Sequence, residues 1–269
     1  MKKIIILILF SFLIISCSKN NQESIESLDN NDKILIPINT EIESGEKDET
    51  INSQDIIEII SVEENNFDIE EKSVFILKNL DFETDDSLTK FLNDKVSFNN
   101  LSYVPENLEK ILSQYVLDSK GNQTARKEVV EALEKMSRDF YDYFGVKISV
   151  VSAYRSYSYQ KGIKDRGCSD LFCAKAGYSE HQSGLALDFF EATSNEEFLS
   201  KKHLSQYFTW LKNNAHKYGF HNSYQNGREI DGYAIEPWHW RYLGVDFSTY
   251  LHQENITFAQ YYNNLKAKY

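Results

Sequence analysis

The chain has 269 residues, 41% of them hydrophobic, and a net charge of −12, which leaves room for one or two domains. That balance excludes an electrostatic nucleic-acid binder, because a phosphate backbone needs a basic face. The acidity is concentrated: residues 18–72 carry 16 Asp/Glu against 4 Lys, a net −12, so the rest of the chain sums to zero.

The N-terminus reads Met1-Lys2-Lys3, a mostly apolar run from Ile4 to Ile15, then Ser16-Cys17. A positive start, a short apolar core and a small residue before cysteine predict a lipoprotein signal peptide over residues 1–17. The apolar run is shorter than the ~20 residues that span a bilayer. Cleavage would leave Cys17 carrying the lipid and would place an exported bacterial lipoprotein on a membrane surface, facing the cell-wall compartment. An uncleaved shallow anchor is the alternative. Residues 18–72 bury too little apolar surface to offset their ordering entropy, so they predict a disordered acidic tether ahead of a domain at 73–269.

Within that domain, Val129, Val130, Leu133, Met136, Phe140 and Phe144 recur at helical spacing and Gly145 follows, which predicts a helix over Asn122 to Phe144. Lys147 to Ala153 is β-rich and runs into Tyr154-Arg155, so Arg155 is expected just past a strand end, where a binding group is well mounted. At least two of Tyr154, Tyr157 and Tyr159 are expected to pack in the interior. Cys168 and Cys173 remain as an even pair in an exported chain, favouring a local disulfide over free thiols or metal ligands.

The segment Ser179-Glu180-His181-Gln182-Ser183-Gly184-Leu185-Ala186-Leu187-Asp188 follows. Alternation of Leu185, Leu187 and Phe189 with Ala186 and Asp188 predicts a half-buried strand with Asp188 facing a cleft. Gly184 marks a turn that can fold His181 back beside Asp188. A helix is expected from Leu204 to Tyr218, closed by Gly219, with His203, His216, His221 and His252 as surface side chains. Glu236-Pro237-Trp238-His239-Trp240-Arg241 opens another strand, with His239 and Arg241 on one face and Trp238, Trp240 and Tyr242 on the other, in the core. Phe247 to Tyr269 reads as one or two helices. The sum is an α+β domain: a small antiparallel sheet with packed helices and a zinc site at one end of the sheet.

Two imidazoles and a carboxylate, His181, Asp188 and His239, match the three protein ligands of a catalytic zinc that keeps a fourth position open. Water at such a site ionises near pH ~7 and can attack a carbonyl if a carboxylate accepts its proton. Glu236, three residues before His239, is the candidate base.

These residues, with the upstream block Ser152-Ala153-Tyr154-Arg155-Ser156-Tyr157-Ser158-Tyr159-Gln160, resemble the VanY-like zinc D-alanyl-D-alanine carboxypeptidase family, from roughly Leu88 to the C-terminus. The resemblance implies Zn2+ on His181, Asp188 and His239, with Glu236 as catalytic base. It implies that Arg155 steadies the substrate or its oxyanion, with Gln160 and Ser179 as substrate contacts. Ala176, Ser223 and Gln225 depart from the family's usual text, and none of them is a ligand. The implied partners are peptidoglycan stem peptides, and the membrane through the N-terminal lipid; a monomer is expected. A D,D-carboxypeptidase leads, followed by an L,D-carboxypeptidase on tetrapeptide stems and a non-catalytic wall-binding lipoprotein.

Overall fold

The computed structural model describes residues 80–268. The expected signal peptide, Cys17 and the tether of residues 18–72 lie outside those residues. The first short strands are β1 (Leu108–Lys110), β2 (Val116–Asp118) and β3 (Thr124–Arg126). They lead into helix α1 (Lys127–Phe144), strand β4 (Ile148–Ser152) and helix α2 (Tyr157–Asp165). After a 3-10 turn at Glu180–Ser183 come β5 (Ala186–Phe189), α3 (Asn195–Ser200) and α4 (Lys202–Asn214). The chain ends with β6 (Phe220–Asn222), α5 (Arg228–Asp231), β7 (His239–Tyr242), α6 (Val245–Glu254) and α7 (Phe258–Lys266).

Five strands form one sheet in the order β2-β4-β5-β7-β6, while β1 and β3 make a separate antiparallel pair. The sheet is antiparallel, as expected, except that its edge strand β2 runs parallel to β4. Helix α1 starts five residues later than the spacing predicts, because Thr124, Ala125 and Arg126 are committed to pairing with β1. Its C-terminus ends where Gly145 takes the left-handed conformation at φ 67° and donates its N–H to the Tyr141 carbonyl. The helix expected to Tyr218 is α4 followed by a 3-10 turn, and the C-terminal segment is two helices.

The period-2 pattern of the strands separates two faces. Val129, Leu133, Met136 and Phe140 of α1 pack on Ile148, Val150, Leu187, Phe189 and Trp240, with Phe198, Leu204 and Leu211 from α3 and α4 closing the core. The opposite face carries Asp188, His239 and Arg241. A second apolar cluster joins Phe247, Leu251, Phe258 and Tyr262 of α6 and α7 to Phe91, which stacks on Tyr262 at 3.9 Å. Arg241, completely buried, donates from Nη2 to the carbonyls of Leu88 at 3.1 Å and Lys90 at 3.3 Å, clamping the N-terminal segment to β7.

Three expectations need correction. Tyr154 and Tyr157 are only half-buried and Tyr159 is exposed, because the chain leaves the sheet at Ser152 and α2 lies at the surface. The strand that the Glu236-Pro237-Trp238 motif opens starts only at His239, because the Glu236 turn extends through Trp238. His221 is not a surface side chain: it is buried on β6, and its Nε2 accepts the backbone N–H of Phe258 at 3.2 Å.

Candidate metal centre and catalytic cleft

Strand register assembles the site. Asp188 lies opposite His239 on one neighbour and opposite Ser152 on the other, so all three fall at the same end of the sheet. Between Val150 and Ser152 the register against β5 shifts, a bulge that re-aims the end of β4 toward the site. His181 arrives from the 3-10 turn, which Gly184 ends at φ 69°. A Cβ there would sit 3.0 Å from Arg126 Cγ and 3.0 Å from Leu108 Cδ2, so the turn requires glycine for both conformation and space.

One ligand atom from each of His181, Asp188 and His239 lies within 4.8 Å of the others. His181 Nδ1 is 2.8 Å from the Ala153 carbonyl, which can only accept, so Nδ1 carries the proton and Nε2 presents a lone pair. That Nε2 is buried without a hydrogen-bond partner, although Asp188 Oδ1 is only 3.2 Å away. A lone pair facing a carboxylate oxygen inside a protein calls for a cation between them. Two imidazoles and one carboxylate are the donor set of a catalytic zinc, which would keep a further coordination position for water.

The charges around this point are strongly coupled. Burial works against an ionised Asp188, yet His181, His239 and Arg155 together hold its carboxyl well below the usual range. Burial lowers His181 to about 4, and Arg155 adds to that, so its imidazole stays neutral as a ligand requires. Burial alone would also lower His239, but hydrogen bonds to Asp188 and Glu180 outweigh it and raise the group to about 9 in the absence of a cation.

Glu236 and His239 are held by one turn. The His239 N–H donates to the Glu236 carbonyl at 3.2 Å, and the Glu236 N–H donates to the Tyr224 carbonyl at 3.0 Å. Asn222 Nδ2 bridges the carbonyls of Glu236 and His239, at 2.9 and 2.7 Å. Burial pushes the Glu236 carboxyl up to about 7; the charges of His239 and Arg155 oppose the rise and that of Asp188 adds to it. A carboxyl poised near neutrality is matched to taking and returning a proton.

Arg155 reaches the centre from just beyond β4. Its Nη2 donates to Asp188 Oδ2 at 3.0 Å, Nε to Ser152 Oγ at 3.0 Å and Nη1 to Gln160 Oε1 at 3.2 Å. Gln160 is fully buried and its Nε2 donates to the Ala174 carbonyl, which fixes the amide that supports Arg155. Ser179 is buried at the start of the His181 turn, and its hydroxyl does not cap that turn. A groove of about 260 Å³ opens beside Arg155, lined by Lys120, Asn122, Tyr154 and Tyr159 among others. Cys168 and Cys173 are disulfide-bonded, with Cα atoms 5.9 Å apart, in the loop between α2 and Ala174.

Residues that motif chemistry did not single out complete the surroundings. Glu180, next to His181, is buried and accepts from His239 Nε2 and Ser223 Oγ, each at 2.8 Å. Tyr224 stacks on the His239 ring at 4.5 Å. The available signal for Glu180 was a second acidic residue inside an otherwise uncharged motif, paired with Arg241 two positions after His239.

Comparison with known proteins supplies context for this geometry. Residues 122–245 match a family model described as VanY: D-alanyl-D-alanine carboxypeptidase. YodJ of Bacillus subtilis (strain 168) is 34% identical over 166 residues, covering 59% of this chain and 57% of that protein. The structure of the LdcB LD-carboxypeptidase, reported for the molecular basis of peptidoglycan recognition, aligns with a TM-score of 0.57 and 31% identity, covering 66% of this chain and 87% of that one. VanYB in complex with D-alanine-D-alanine aligns with a TM-score of 0.50 and 25% identity, covering 66% of this chain and 97% of that one. The chain spans about half the length of the curated relatives it matches.

Proposed function

Because the chain belongs to the VanY-like D-alanyl-D-alanine carboxypeptidase family, which includes LD-carboxypeptidases, we propose that it is a zinc-dependent carboxypeptidase removing the terminal D-alanine from peptidoglycan stem peptides. The observation that carries this reading is the buried convergence of His181, Asp188 and His239 with Glu236 and Arg155 at one end of the sheet. Zinc held by His181, Asp188 and His239 would supply Lewis acidity toward the scissile carbonyl and toward water.

The chain's own residues divide the remaining work. Glu236 accepts the proton of the attacking water on its carboxylate and returns it to the leaving amine nitrogen, a double task suited to a carboxyl raised to about 7. Arg155, braced by Gln160 and Ser152, presents a fixed guanidinium to the substrate's terminal carboxylate or to the developing oxyanion. Asp188 is oriented by that same guanidinium, so ligand and substrate clamp share one support. Ser179, beside the His181 turn, is the proposed backbone contact for the peptide. Through Cys17 and its lipid the enzyme would sit on the wall-facing side of a membrane, with the acidic segment as its tether.

Removal of D-alanine from a pentapeptide stem is the first assignment. An L,D-carboxypeptidase acting on the tetrapeptide is the second, favoured by the higher TM-score and identity to LdcB than to VanYB. A non-catalytic wall-binding lipoprotein does not account for a buried, raised Glu236 beside the metal ligands. Incubation of the protein with pentapeptide and tetrapeptide muropeptides, followed by mass analysis, tests the proposal. Loss of one alanine mass from one of the two is expected, with turnover by Glu236→Gln reduced about 10²–10⁴-fold while zinc stays bound. No product from either stem by the zinc-loaded protein would overturn the enzyme reading.

A further inference from the structure

His239 faces a carboxylate from each of its nitrogens. Nδ1 is 3.1 Å from Asp188 Oδ1, and Nε2 is 2.8 Å from Glu180 Oε2. An imidazole can give only one lone pair to a cation. The point shared with His181 Nε2 and Asp188 Oδ1 lies on the Nδ1 side, so a metal there leaves the proton on Nε2, directed at Glu180.

From this arrangement we infer that Glu180 is a positioning residue: a buried carboxylate that fixes the tautomer and orientation of His239 so that Nδ1 ligates the metal. The inference rests on the metal-centre part of the proposed function and on no property of the peptide substrate. Glu180 is 3% exposed and is itself held from two directions. Ser223 Oγ donates to Oε2 at 2.8 Å, and Arg241 Nη1 lies 3.7 Å from Oε1. Ser223 is one of the positions where this chain departs from the family's usual text, and here it supplies a hydroxyl to the carboxylate behind the ligand.

The competing role, an ion pair that merely neutralises Arg241, fits the distances less well. The Arg241 contact is long and its Nη1 makes no hydrogen bond, whereas the His239 contact is short. Tyr224, stacked on the ring at 4.5 Å and 18°, blocks rotation out of the plane, and Glu180 then sets which edge of the ring faces the metal. A carboxylate accepting the distal N–H also makes the ligating nitrogen a stronger donor, and losing such a partner weakens metal binding about 10–100-fold.

Two measurements test the inference, neither of them catalytic. Glu180→Gln keeps the shape and removes the charge; competition against a chromophoric chelator should show zinc bound about 10–100-fold more weakly than by the wild type. Because a neutral residue beside buried Arg241 can impair folding, the second measurement uses the wild type itself. Long-range ¹H–¹⁵N spectra of the zinc-loaded protein should show His239 protonated on Nε2 and metal-bound at Nδ1. Unchanged zinc affinity in folded Glu180→Gln, or a His239 bound through Nε2, overturns the inference and leaves the proposed function standing. A wild type that binds no zinc removes both.

Discussion

Acidification should weaken the fold through His221, a residue outside the metal centre. Burial pushes this imidazole down from 6.5 to about 4, with His252 adding to the shift and the charge of Glu180 opposing it. The mechanism is visible in one bond: Nε2 accepts the Phe258 N–H, an orphan donor in the first turn of α7, and a protonated Nε2 would turn a second donor against it. The folded-state value lies below the unfolded one, so below pH 6.5 the unfolded chain binds the extra proton first. His221's contribution is therefore intact above pH 6.5 and is lost progressively as pH falls toward about 4. For a shift of that size, linkage gives a loss of roughly 2 kcal/mol between pH 7.5 and pH 5. Urea unfolding of wild type and His221→Gln in chelator, at both pH values, isolates the effect. His181 and His216, also lowered to about 4, contribute equally to both proteins and cancel in the difference. The amide oxygen of Gln can accept from Phe258 without titrating. The stability gap between the two proteins should shrink by about 2 kcal/mol on acidification, and a gap independent of pH would refute the reasoning.

Two further predictions concern the cleft and the core behind it. Arg155→Lys loses the fork that binds Ser152, Gln160 and Asp188 together, and steady-state kinetics on stem peptides should show kcat/KM reduced by about 10–100-fold, the equivalent of about one charged hydrogen bond. Leu187→Ala empties a fully buried position between Asp188 and the α1 face of the sheet; chemical denaturation should show a loss of about 2–5 kcal/mol.

Much of the site could be read from the chain because its chemistry is local. A glycine that permits φ 69° folds His181 back within seven residues of Asp188, and the alternation of Leu187 and Phe189 with Asp188 separates the core face from the ligand face. Helix α1 was legible for a similar reason: its apolar stripe repeats over several turns, long enough for periodicity to dominate. Its start was not, since Thr124 to Arg126 take their extended form from pairing with β1, and three-residue strands leave almost no period-2 signal. Glu180 was missed because charged residues ordinarily face water, and nothing local reveals that its carboxylate meets the His239 ring inside the fold. His221 was misread on the same ground. Its role depends on the backbone of Phe258, far along the chain.

The clamp of Arg241 on the carbonyls of Leu88 and Lys90 also has a mechanical meaning. Tension applied to the chain ahead of Leu80 would be borne in part by this guanidinium, two residues from His239 on the same strand. The residue that would carry that load and a candidate metal ligand thus share β7. A shortened chain limited to the family-matched residues 122–245 would lose that anchorage together with α7, the aromatic stack of Phe91 on Tyr262 and the acceptors for a fully buried Arg241. The smallest unit that keeps these contacts therefore begins well upstream of the metal-binding motifs, ahead of Leu88.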